Sequence, residues 1–162
     1  MDEVEQQIRD AIEPIPEEAF KGSWSDSVWT REIKNRVARI GKLLKFSVCA
    51  NRSDHSDDHE WLYDLIWLDA DENNLLLSAP LSMEIEWGSL EDIIYDFEKL
   101  LTANSKYKVM VFQGDDVSKT TNDLIQKVAK FRSPNPNERY LFIAYDWNFE
   151  AFQLRSFQRG KQ

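Results

Sequence analysis

The chain of 162 residues has a single cysteine, Cys49, so no disulfide can form within it, and a reducing cytoplasm is the compartment expected. No apolar run approaches the roughly 18 residues needed to span a bilayer, and no basic stretch followed by an apolar one opens the chain. A soluble intracellular protein without a membrane partner is the expectation. Glycine-rich phosphate loops, paired CxxC motifs and dinucleotide fingerprints are all missing. With only two histidines, His55 and His59, a Ser-His-Asp or Cys-His system would have to draw on the polar loop "DHSDDHE". Two His among that many acids could also ligate a cation, but no helix aligns them, and a solvated acidic loop is the simpler reading. Most telling is a gap in charge: residues 53–98 contain fourteen Asp and Glu and no Lys or Arg.

What is present is globular. Hydrophobic residues make up 42% of the chain, with six Trp, nine Phe and five Tyr, and the length suits one domain with a real core. The expected organisation is a single domain over 1–162: an N-terminal helix and loop (1–27), a core (28–113), and a C-terminal helix with two strands (114–162). The net charge of −9 disfavours unspecific binding to nucleic acid. However, Arg31, Lys34, Arg36, Arg39, Lys42 and Lys45 gather on a helix over 31–45, where a basic arc could meet a phosphate backbone.

Periodicity predicts the elements. Val4, Ile8 and Ile12 mark a first helix ending at Pro14 and Pro16, and residues 17–27 read as a loop. Trp29, Ile33, Val37, Ile40 and Leu44 keep helical spacing, with the basic residues on the remaining arc. Strands are expected at 45–51, 60–69 and 75–87, the last two joined by a turn around Asn73. Ser89 caps a helix with the stripe Leu90, Ile93, Ile94, Phe97, Leu100 and Leu101. A buried strand at 107–112, a helix from Val117 to Phe131 and two final strands complete an α/β chain: a mixed central sheet flanked by helices.

Alternation places Asp64 with Leu62, Ile66 and Leu68 on one face of its strand, and Glu84 and Glu86 together on one face of the next. A turn near Asn73 puts Asp64 across from residues about 81–84. Carboxylates ~4 Å apart repel by about 4 kcal/mol per pair at an effective dielectric of 20. A divalent cation, with Mg²⁺ or Mn²⁺ suited to hard oxygen donors, would relieve that repulsion.

Helix, strand, a strand carrying "YD", a strand carrying "E-x-E", then helix and strand resembles the core of the PD-(D/E)xK nuclease superfamily, the restriction-endonuclease-like fold. The likeness covers roughly Trp29 to Phe112. It implies that Asp64 is the first motif acid, with Tyr63 where Pro often stands, and that Glu84 is the second. Glu86 takes the position of the usual Lys, Glu32 resembles an extra metal-associated Glu, and Gln113 sits where some members have Gln. Asp64, Glu84 and Glu32 would then bind the metal, with Glu86 catalytic. Lys99 in "DFEKL" could be a migrated substitute for the missing Lys, but it lies on the far side of its helix from the apolar stripe, and that position favours a solvated lysine. The implied activity is phosphodiester hydrolysis, on DNA more than RNA. The alternative is an inactive module on the same scaffold that works through a protein partner and exposes an apolar patch.

Overall fold

The computed structural model describes residues 1–160. Its elements run α1 (Glu3–Ile12), α2 (Ile15–Gly22), α3 (Asp26–Leu43), β1 (Ser47–Ala50), β2 (Leu65–Ala70), β3 (Leu76–Glu86), α4 (Leu90–Thr102), β4 (Tyr107–Gly114), α5 (Val117–Lys130), β5 (Arg139–Asp146) and β6 (Ala151–Gln158). The fold is α/β: six strands form a mixed sheet in chain order, with flanking helices. The chain divides into two compact units, Met1–Leu81 and from Ser82 onward, so that β3 begins in one and ends in the other. Among the described residues no helix is long and apolar enough to cross a membrane.

In the first unit, Asp2 caps α1 through a reciprocal capping box with Glu5. Residues 17–22, part of the loop expected over 17–27, belong instead to a helix over 15–22. Proline lacks only an N–H that the first turn of a helix leaves unused, so Pro16 opens α2, burying Ile15 and Ala19. Arg36 of α3 holds both neighbours, donating to the Ala11 carbonyl at 2.7 Å and pairing with Glu18.

β1 and β2 are antiparallel, with Ser47 opposite Leu68 and Cys49 opposite Ile66. Val48, Leu65 and Trp67 therefore share the other face, and all three are fully buried. That face meets α3, where a Cβ on Gly41 would lie 2.6 Å from the Trp67 indole nitrogen. Glycine is needed there because the helix backbone rests directly on the indole. The turn between β2 and β3 closes as expected, with the Asp71 carboxylate accepting from the Asn73 and Leu75 amides and Asn74 in the left-handed region.

The second unit holds the parallel pair β4–β5, whose crossover is α5, and the antiparallel pair β5–β6. Ser89 caps α4 in a capping box with Asp92, and Asp116 caps α5. From α4, Phe97 packs its ring against Tyr140 and Phe142 of β5, at 6.1 and 5.6 Å between centroids. That side of the sheet also carries an ionic core. Lys108 of β4 donates to Glu138 at 2.8 Å and to the Tyr140 hydroxyl at 3.2 Å. Glu138 further accepts from Ser133, Tyr140 and Arg159.

Candidate functional site

Asp64 does not continue the pleat of β2. The strand begins at Leu65, and Leu62 two residues earlier adopts a left-handed φ of 66°, which breaks the alternation expected over 60–69. Asp64 turns to α3, where Lys34 Nζ donates to its Oδ1 at 2.8 Å and reaches Glu60 at 3.4 Å. Lys34 was expected on the solvated arc of that helix. It is instead buried, because its ammonium has two carboxylates to meet. Glu32, on the same helix, contacts Arg31 at 3.7 Å and Asn35 at 3.5 Å. Asn35 ties down the acidic loop, accepting from the Ser53 hydroxyl and the Asp54 amide and donating to the Asp54 carboxylate.

Glu84 and Glu86 share one face of β3, as alternation predicts, while Met83 and Ile85 are buried on the other. Both acids meet residues of α4. Glu84 is only 2% exposed, and Lys99 Nζ lies 2.6 Å from its Oε1. Lys99 also pairs with Asp96 at 3.3 Å, one helical turn earlier. Lys99 thus keeps a side chain 37% exposed, as a solvated lysine would, and adds a carboxylate partner that the sequence did not reveal. Its Cα does sit off the apolar stripe, but four methylenes carry the ammonium back to the strand.

Burial alone would lower the pKa of Lys99. The Glu84 and Asp96 carboxylates outweigh it and hold the pKa above the ordinary lysine value. The ammonium stays protonated, so it can steady negative charge but cannot serve as a base near neutral pH. Glu86 behaves oppositely. Burial pushes its pKa up, the Gly88 amide donating at 2.6 Å pulls it back, and Asp96 and Asp92 push it up again. Its carboxyl is the one in this group moved toward the pH range useful for proton transfer. Gln113, at the end of β4, donates to the Trp87 carbonyl at 2.6 Å and so fixes the segment that follows Glu86.

The acids of residues 53–98 are therefore not left uncompensated. The two lysines that meet Asp64 and Glu84 come from positions 34 and 99, on either side of the gap. Carboxylate oxygens have the right hardness for Mg²⁺ or Mn²⁺. Among the described residues, however, no group of three or more His, Cys, Asp or Glu is placed to hold a metal ion.

The basic helix is also more engaged than its sequence suggests. Arg36 and Lys34 are committed as described, Arg39 donates to His55 at 2.8 Å, and Lys42 pairs with Asp57. Lys45 and Arg52 remain exposed. The buried Lys108–Glu138 network escaped sequence reading, although a lysine inside "YKVMVF" was a usable signal, since a fully buried lysine needs a carboxylate. No family model, no curated protein and no solved structure matches the chain.

Proposed function

We propose that the chain is a phosphodiester hydrolase of the PD-(D/E)xK kind in which Lys99 of α4 supplies the motif's missing lysine. One observation carries this reading: a nearly sealed carboxylate, Glu84, faces at 2.6 Å the ammonium of a lysine whose side chain is still 37% exposed. A motif acid and a cation that solvent and substrate can reach are thus side by side.

In this reading Lys99, held protonated, meets the non-bridging oxygens of the scissile phosphate as charge builds on them. Glu84 and Asp96 hold the ammonium in place. Glu86, whose carboxyl is raised in pKa, takes the proton of the attacking water. The cation that the resemblance implies, Mg²⁺ or Mn²⁺, would add Lewis acidity and an activated water, and Glu84 is the second unit's donor for it. Exposed Lys45 and Arg52, with Arg31, would carry phosphate contacts if nucleic acid is the substrate.

A second reading draws on a different observation. Lysines neutralise Asp64 and Glu84 without any metal, which is also how an inactive scaffold would settle the same charges. Incubation of the protein with single- and double-stranded DNA and RNA, with and without Mn²⁺, separates the two. The hydrolase cleaves one of them in a metal-dependent way, and Glu84→Gln and Lys99→Gln abolish cleavage. Absence of cleavage under every condition, with no change in melting on adding Mn²⁺, leaves only the inactive scaffold.

A further inference from the structure

The first unit covers its strands unevenly. On one face of β1 and β2, Val48, Leu65 and Trp67 are sealed against α3. On the opposite face Cys49 and Ile66 are buried, Leu68 is half-buried, and Ser47 and Ala70 are exposed. A loop forms one wall there: Asp57 and Asp58 run alongside β1, exchanging backbone hydrogen bonds with Val48 and Ala50. Its continuation sets Glu60 and Trp61 above the strands, and Leu76 closes the far side. The result is a groove of about 510 Å³.

Two features of this groove point to one kind of occupant. Part of its lining is apolar and open to solvent, with Trp61 46% exposed and Leu76 48% beside Leu68 and Cys49, and exposed Leu75 and Leu77 flank Leu76 in the chain. Leucines in succession on a hairpin end serve no core, and contiguous apolar surface of this kind marks a contact site. Its charge is of one sign. Asp58 and Glu60 line it and Glu72 stands exposed on the turn leading to Leu76, with no Lys or Arg anywhere in residues 53–98. Within the unit the only cation that reaches these groups is Lys34, at 3.4 Å from Glu60 and already bound to Asp64.

We infer that the groove docks a segment of a partner protein in which Lys or Arg alternates with Leu, Ile or Phe. The apolar side chains would enter over Leu68, Trp61 and Leu76, and the cations would meet Asp58, Glu60 and Glu72. A second copy of the chain fits less well. It brings the same acidic groove, and Arg36, Arg39 and Lys42 of its basic helix are held by Glu18, His55 and Asp57. Its exposed Lys45 and Arg52 stand on turns rather than alternating along one extended segment. The inference is independent of the proposed hydrolysis, since none of these residues belongs to the Glu84–Lys99 group.

The test titrates ¹⁵N-labelled full-length protein with a short synthetic peptide alternating leucine and lysine, beside one alternating leucine and glutamate. The lysine peptide is expected to shift the amides of Ser47, Cys49, Trp61, Leu68, Ala70 and Leu76, and the glutamate peptide to leave them unmoved. Trp61→Ala is expected to weaken binding about tenfold or more. Asp58→Asn should reduce its salt dependence while leaving the melting temperature unchanged. Shifts scattered over the acidic surface, no shifts in the groove, or equal binding by Trp61→Ala would overturn the inference. So would concentration-dependent dimerisation that Trp61→Ala abolishes, because the groove would then be a self-contact.

Discussion

In two lysine–glutamate pairs of the second unit the glutamate is buried and the lengths are nearly equal, yet the pairs differ in almost everything else. Lys108 and Glu138 meet at 2.8 Å with side chains 0% and 3% exposed. Lys99 and Glu84 meet at 2.6 Å, with the glutamate as deeply buried but the lysine open to solvent. Glu138 is saturated: it accepts from Lys108, Ser133, Tyr140 and Arg159. Burial lowers the pKa of Lys108, whereas at Lys99 the two carboxylates overcome burial and raise it. The first pair locks β4 to the start of β5 and offers nothing to a ligand. The second keeps one hand on the protein and one in solvent. An ion pair is a candidate for chemistry when one partner is sealed and the other is reachable, and a fastener when both are sealed.

Substitutions can break this contrast. Glu138→Ala leaves Lys108 buried and Arg159 partly buried with no counter-charge and should cost about 3–5 kcal/mol in urea unfolding. Burial would raise the pKa of Glu138, but Lys108, Ser133 and Tyr140 bring it below the ordinary carboxyl value. Its stabilisation is therefore complete above pH 4.5 and is lost as the pH falls through the depressed native value. Glu138→Gln should flatten that acid limb of the stability curve. An acid limb unchanged in this variant would mean that Glu138 is no fastener.

The Lys34–Asp64 pair of the first unit falls between the two, with the lysine sealed and the aspartate partly open. Asp64→Asn should cost about 1–3 kcal/mol, because Lys34 keeps only Glu60 at 3.4 Å. Lys99→Gln should cost about 1–3 kcal/mol, because Glu84, 2% exposed, loses the Lys99 ammonium, while removing any hydrolysis. The smallest effect is expected at Glu86. With a raised native pKa its charge weakens the fold at neutral pH, and stability recovers as the pH drops through that value toward 4.5. Glu86→Gln should therefore raise the melting temperature slightly at pH 7 and leave it unchanged near pH 4, by under ~0.5 kcal/mol. A fall at pH 7 would show that the charged form is welcome there.

Much of this was legible in the sequence, and the failures share a cause. Apolar period located α1, α3, α4 and α5, and Ser89 marked the start of α4, because these are local signals that need no tertiary partner; Asp2 and Asp116, which cap α1 and α5, went unread. The face shared by Glu84 and Glu86 followed from alternation alone. What failed were judgements about long cationic side chains. Lys34, Lys99 and Lys108 read as solvated or went unremarked, because a sequence shows where a Cα points and not where an ammonium four methylenes away ends. Each found a carboxylate distant in the chain, and the apparent lack of counter-charge in residues 53–98 dissolved with them. Asp64 misled for another reason: the left-handed Leu62 interrupts a run of otherwise strand-forming residues. Residues 15–22 were missed because prolines were read only as terminators, when Pro16 also suits a helix start.

The reachable cation at Lys99 is the centre of this account, and a cleavage assay tests it most directly. Wild type, Lys99→Gln and Glu138→Gln would be compared on single- and double-stranded DNA and RNA with Mn²⁺, each at a temperature where melting shows it folded. Metal-dependent cleavage by wild type and by Glu138→Gln, absent in Lys99→Gln, is the predicted result. Equal cleavage by wild type and Lys99→Gln would contradict it.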